Sequence, residues 1–205
     1  LGLHALQHRG QEAAGIVAFD GTQFTAERHI GLVGDVFGTQ GHAAHLQGPH
    51  AIGHVRYSTS GGSVARNVQP LFADLAGGGL AIAHNGNLTN ARTLRNELVR
   101  DGAIFHSTSD TEVMIHLTAR SEFKPVAKRL IDALKQVEGA YSLVALTSKK
   151  LIGARDPYGV RPLVLGKLDD AWILASESCA FDIIGAEFVR DVEPGEMVVI
   201  THDGL

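Results

Sequence analysis

Gly79-Leu80-Ala81-Ile82-Ala83-His84-Asn85-Gly86-Asn87 is an apolar run that stops on a cluster of polar residues. Gly79 to Ala83 has the length and composition of a buried strand. Asn85-Gly86 is the dipeptide that most readily takes up a tight turn with positive φ. A strand ending this way carries two donors at its tip, a side-chain amide and an unhindered backbone N–H. Aimed at one point, such donors stabilise the oxyanion of an acyl transfer. Alone, the dipeptide marks no more than a hairpin turn, so the rest of the chain has to decide between the two.

The flanking segments predict alternating strands and clustered helices. Leu3 and Leu6 suggest a short helix ending near Gly10. Gly15–Phe19 and Phe24–Arg28 read as strands across the turn Asp20-Gly21. Leu32–Phe37 has room for one or two helical turns, and Ala51–Tyr57 alternates like a strand before the small-polar loop Ser58–Ser63. Beyond the Asn-Gly pair, Asn90 is a plausible N-cap for a helix carrying Leu94 and Leu98. Ser109-Asp110-Thr111-Glu112 fits a capping box, and Val126, Leu130, Ile131, Leu134 and Val137 form the clearest helical stripe. From Tyr141 on, strands recur: Tyr141–Leu146, Leu151–Arg155, Leu163–Leu165, Trp172–Ala175, Phe188–Val189 and Met197–Ile200. Strands in meandering groups around a helical middle predict an α+β fold with antiparallel sheets stacked face to face and helices outside.

Composition narrows the function classes. The 205 residues suit one domain, and 44% hydrophobic and 20% charged residues are ordinary for a globular protein. A net charge of −4 gives no reason to expect a nucleic-acid or membrane partner. A single cysteine, Cys179, excludes an internal disulfide framework and fits a reducing cytoplasm. Leu1–Leu6 reads as mid-helix without a cap, and Thr201–Leu205 stops in a turn, so both ends read as cuts in a longer polypeptide.

Four polar clusters fall at predicted element ends: Gln7–Glu12, Gly53–Thr59, His84–Asn87 and Ser109-Asp110. Arg56 offers a planar fork matched to a carboxylate. Asp110, expected in a first helical turn, is favoured in its ionised form and is a natural counter-ion for an ammonium. Together they suit the two charged ends of a free amino acid, leaving Asn85 and Gly86 for its side chain. Taken singly, each has a plainer role: Arg9 as a helix-end cation, Arg56 as a solvated strand residue, Asp110 as an N-terminal charge. No nucleophile is evident, and nothing marks a base for Cys179.

Leu6-Gln7-His8-Arg9-Gly10-Gln11-Glu12-Ala13-Ala14-Gly15-Ile16, Gly53–Thr59, Ala83–Leu88 and Ser107–Glu112 together resemble the successive motifs of the class II glutamine amidotransferases. Arg155–Leu163 and Ala175–Asp182 resemble the amidophosphoribosyltransferase branch of that family, nearly end to end. The resemblance implies a four-layer α-β-β-α sandwich of the N-terminal-nucleophile hydrolase type, here missing its first strand and so leaving a sheet edge unpaired. It implies hydrolysis of glutamine by an N-terminal cysteine that lies upstream of Leu1, which makes the chain as written inactive. It assigns the oxyanion to Asn85 and Gly86, the ordering of the site to Arg9, and glutamine binding to Arg56, Asp110 and Thr59. It also implies a phosphoribosyltransferase domain, absent from these residues, that binds Mg²⁺ and passes ammonia to phosphoribosyl pyrophosphate in a homo-oligomeric enzyme of purine synthesis. Other class II amidotransferases, or a non-catalytic amino-acid-binding domain, are the competing expectations.

In the iron–sulfur branch of the family, Cys179 corresponds to a ligand of a [4Fe–4S] cluster whose other ligands come from the absent domain. As a residue it also reads as a small buried hydrophobe. His42, His45, His50 and His54 form a histidine run, and His42-x-x-His45 can share a helical face. With no Cys or carboxylate in sequence to complete a metal shell, these are expected to be loop and strand residues.

Overall fold

The computed structural model describes the chain except Gln40 and residues 58–64, so Thr59 lies outside the described residues. Among the described residues eleven strands form three antiparallel sheets. A five-stranded sheet in the order β11-β7-β6-β5-β4 is the centre. It comprises β4 (Leu71–Leu75), β5 (Gly78–Leu88), β6 (Gly139–Thr147), β7 (Leu151–Arg155) and β11 (Met197–Ile200). A second sheet, β2-β1-β3, is built from β1 (Ala13–Phe19), β2 (Phe24–Ile30) and β3 (His50–Arg56). The third, β10-β8-β9, takes β8 (Val164–Leu168), β9 (Ala171–Ala175) and β10 (Glu187–Asp191).

The two faces of β5 and β6 explain their near-continuous apolar sequence. Leu80 and Ile82 of β5 and Leu143 and Ala145 of β6 pack under the helices α2 (Ala91–Arg100), α3 (Thr111–Arg120) and α4 (Val126–Leu134). Their neighbours Ala81, Ala83, Val144 and Leu146 turn the other way, onto Val17, Phe19 and Ile52 of the second sheet. A strand covered on both faces has no polar alternation to show. Val144 also reaches Leu163 and Leu165, so the third sheet lies against the central one as well. Its far side carries Ala180 and Phe181 of the short α5 (Cys179–Asp182) and Leu6, just after α1 (Gly2–Ala5). Among the described residues no helix is long and apolar enough to cross a membrane.

Several expectations are corrected here. Asn85-Gly86 is not a turn: β5 runs on to Leu88, with Asn85 opposite Ser142 and Gly86 opposite Tyr141. Gly86 still requires glycine, for φ is +148° and a Cβ would lie 2.0 Å from the Ala140 carbonyl oxygen. The side chain of Asn90 does not cap α2; it donates to the Gln136 carbonyl and accepts from the Glu138 N–H. The capping box at α3 is open too. Asp110 is the N-cap residue but makes no side-chain cap bond, and Glu112 accepts instead from the His106 and Ser107 N–H groups. The helical turn expected over 32–37 is present, shifted to Gly34–Thr39 and of the wider π type. Strand β4 carries little strand signal in the sequence, because Pro70 precedes it and Asp74 interrupts it.

Candidate active site

The site lies where the core between the first two sheets meets solvent. In a strand, residues i and i+2 share a face. Ile52, His54 and Arg56 share one face of β3, and Ala81, Ala83 and Asn85 one face of β5. Ile52, Ala81 and Ala83 are apolar and fill the core between the sheets. His54, Arg56 and Asn85 continue the same rows and line a cleft of about 870 Å³. Arg9, Gly86 and Asp110 line it too, so one cleft collects all the described site residues that the sequence nominated except Cys179.

Arg56 is buried, contrary to the solvated face that alternation alone suggests. Its Nη1 donates to the Asn67 carbonyl, and its Nε has no partner among the described residues. A buried guanidinium with a donor left over is costly unless a ligand completes it. Asn67 also binds Thr108, accepting from its N–H at 2.9 Å and donating to its Oγ1 at 2.7 Å. Arg56, on β3, is thereby joined through Asn67 to the segment that opens α3.

Asp110 stands at that opening. Its Oδ2 accepts from the Leu88 N–H at 3.0 Å, and its Oδ1 lies 3.6 Å from His84 Nδ1. Burial works against the charged form, but the His84 ring and the Leu88 and Thr111 N–H groups outweigh it and hold the carboxyl below its ordinary pKa. A carboxylate has about four acceptor positions, so Asp110 keeps capacity for an ammonium.

Arg9 arrives from a 3₁₀ turn, Gln7–Arg9, that follows α1. Gly10 lets this turn close on β3: a Cβ there would stand 2.5 Å from the Arg56 carbonyl carbon. Arg9 pairs with Glu177, which also binds His8 Nε2 at 2.9 Å. Glu177 is a cleft residue that sequence reasoning quoted within a motif but gave no role. Gln69, which falls in none of the sequence motifs, is a further cleft residue: its Oε1 accepts from the His84 N–H at 2.7 Å and anchors β5 just before Asn85. No sequence signal marks either, because their partners lie far along the chain.

The motif Arg155–Leu163 is largely self-organising. Asp156, fully buried, accepts from the Tyr158 and Val160 N–H groups, and Arg155 donates to the Gly159, Arg161 and Val192 carbonyls. Arg161 alone of these lines the cleft. Cys179 lies outside it, with Sγ 3.9 Å from the Ala5 carbonyl oxygen and 3.8 Å from Glu177 Oε2. Burial and the Glu177 carboxylate raise its pKa, the opposite of an activated thiol. As the only cysteine of the sequence it does not make a four-thiolate cluster set.

Comparison with known proteins places this geometry in a family. A model of the glutamine amidotransferase domain matches residues 54–182. The amidophosphoribosyltransferase of Rhizobium etli is 61% identical over all of this chain, which covers 42% of that protein. That of Bacillus subtilis is 49% identical, with 43% covered. The solved glutamine phosphoribosylpyrophosphate amidotransferase of B. subtilis, complexed with ADP and GMP, superposes with a TM-score of 0.93 at 48% identity. That match covers 99% of this chain and 44% of the other. A protein of Silicibacter pomeroyi described as a glutamine aminotransferase class-II domain protein shares the fold at 17% identity, with a TM-score of 0.67 over 94% of this chain and 88% of its own. The chain thus spans less than half the length of the curated relatives named here. Since the family model takes in more than half of its residues, among them every cleft residue from His54 to Glu177, the chain belongs to the glutamine amidotransferase domain family.

Proposed function

We propose that this chain is the glutaminase half of an amidophosphoribosyltransferase, and that the cleft binds glutamine. The observation that carries the reading is the buried Arg56, with a donor unspent, in one cleft with an ionised Asp110 and with Asn85-Gly86. The guanidinium takes the α-carboxylate of glutamine and Asp110 its α-ammonium. The side-chain amide then meets Asn85 and Gly86 at the end of the inter-sheet core. An N-terminal cysteine, preceding Leu1 in the longer polypeptide, supplies the attacking thiol, and its own α-amino group takes the thiol proton. Attack on the amide carbon breaks the C=O π bond, and the resulting oxyanion accepts from the Asn85 amide and the Gly86 N–H. Collapse expels ammonia with the proton returned by the α-amino group, and water then cleaves the thioester to glutamate. Arg9, fixed by Glu177, orders the thiol's surroundings, and Thr59 adds a substrate contact.

In the whole protein the ammonia passes to phosphoribosyl pyrophosphate on a second, Mg²⁺-dependent phosphoribosyltransferase domain, giving 5-phosphoribosylamine in the cytoplasm. The packing of α2–α4, the central sheet, the two smaller sheets and α1 with α5 supports the four-layer α-β-β-α reading, completed by an opening strand that carries the cysteine. A cluster role for Cys179 would need three thiolates from outside this chain, and no step here depends on one.

The test is steady-state glutaminase kinetics on the longer polypeptide that carries the N-terminal cysteine. Asn85→Ala lowers kcat by roughly 100- to 1,000-fold with KM little changed. Arg56→Ala and Asp110→Asn mainly raise KM. Equal loss of kcat and glutamine binding in Asn85→Ala contradicts the oxyanion role, and an unchanged KM in both of the others contradicts the binding role.

A further inference from the structure

Away from the cleft, on the outer side of β2, four side chains converge that the glutaminase reading leaves unused. Glu27 and His29 share the half-buried face of β2. Over them sits the 3₁₀ turn His42–His45, entered through Gly41 at φ +72°. A 3₁₀ helix has three residues per turn, so positions i and i+3 eclipse. His42 and His45 are therefore presented side by side, toward β2. His45 Nδ1 lies 2.9 Å from Glu27 Oε1, and His42 Nδ1 lies 3.6 Å from Glu27 Oε2. His29 Nε2 is 2.7 Å from the same Oε2, and its ring stacks on that of His42 at 3.9 Å between centroids.

The carboxylate that the sequence does not place beside the histidine run is thus delivered by the fold, from fifteen residues upstream of His42. The expectation that these histidines lack a metal shell rested on its absence.

We propose that Glu27, His42 and His45 form a site for a divalent transition metal, zinc by preference. One ligand atom from each lies within 4.8 Å of the other two. Tetrahedral zinc with bonds near 2 Å holds its ligand atoms roughly 3.3 Å apart, so closure by up to about 1.5 Å through side-chain rotation forms the site. Two imidazoles and one carboxylate suit zinc, copper or nickel, and disfavour magnesium and calcium, which take oxygen ligands. The fourth position is open to water. His29, bonded to the carboxylate, acts as the outer partner that fixes its orientation. The metal ties the turn His42–His45 to β2 and takes no part in the cleft, since none of the four residues lines it.

The experiment is calorimetric titration of zinc chloride into the full-length protein stripped with chelator. One zinc binds per chain with micromolar or tighter affinity. Glu27→Gln, His42→Ala and His45→Ala each weaken it at least tenfold, and His29→Ala weakens it about tenfold. His202→Ala, at a fully exposed histidine, changes nothing. Cobalt in place of zinc gives the intense visible bands of a tetrahedral site, lost in the same variants, whose far-UV circular dichroism matches the parent. Zinc binding that survives these substitutions with unchanged affinity, or no stoichiometric binding, overturns the proposal.

Discussion

His54 carries the strongest titration consequence of any single residue in the cleft. Its Nδ1 is shut away from solvent without a partner. Burial first, then the charges of His84 and Arg56, push its pKa down to about 4. The unfolded chain has an ordinary imidazole near 6.5, so between the two values the unfolded state binds more protons. The stabilisation is complete above about pH 6.5 and drains away as pH falls toward 4, by up to about 3 kcal/mol. Urea unfolding at pH 7 and at pH 4.5 should show that loss, and His54→Gln should flatten it whatever its effect at pH 7. Gly86 gives a second residue-scale prediction. Gly86→Ala meets both positive φ and the Ala140 carbonyl and should cost at least about 2 kcal/mol. Gly102→Ala, at φ +93° with open space around it, should cost about 1 kcal/mol or less, the difference being read from urea midpoints.

At the scale of elements, the start of α3 is held by Glu112 rather than by a cap. Its carboxylate takes three hydrogen bonds, from the N–H groups of His106 and Ser107 and from the Ser107 hydroxyl. Glu112→Ala should cost about 2–3 kcal/mol and speed amide exchange at 106–108 more than elsewhere, and on the proposed function it should weaken glutamine binding, because Asp110 stands two residues before Glu112 at the same helix start. The motif S-x-x-E was legible as a helix start, but the direction of its glutamate was not. Capping chemistry is local, whereas Glu112 answers to a loop whose path tertiary packing sets. The same reason hid the task of Asn90, which fastens α2 to the segment after α4. β5 was legible as a strand from its apolar run and misjudged in length. Asn85-Gly86 favours a turn only when the next residues are free to reverse, and here β6 pairs with them as far as Leu88. What the sequence could not hold was long-range pairing, such as Arg9 with Glu177 and Glu27 with His45.

At the scale of the whole molecule, three packed clusters among the described residues share the central sheet. Leu130→Ala, under the helices, and Val17→Ala, between the sheets, should each be destabilising, the former by about 2–5 kcal/mol. Trp172, the single tryptophan, sits in the third sheet and reports on it. If the three sheets unfold together, each substitution shifts its fluorescence midpoint and the far-UV midpoint equally. The layers also meet through Asn67, which holds Arg56 by its carbonyl and Thr108 by its amide. On the proposed function, Arg56 and the segment that leads into Asp110 are therefore mounted on one bracket, and filling either should tighten the other. If Arg56 and Asp110 read the two charges as proposed, a zwitterion gains from both at once, while an amine lacking the acid, or an acid lacking the amine, forfeits more than its own half. On that same reading, discrimination for free amino acids over peptides and simple amides should come from this shared mounting and not from the strength of either charge alone.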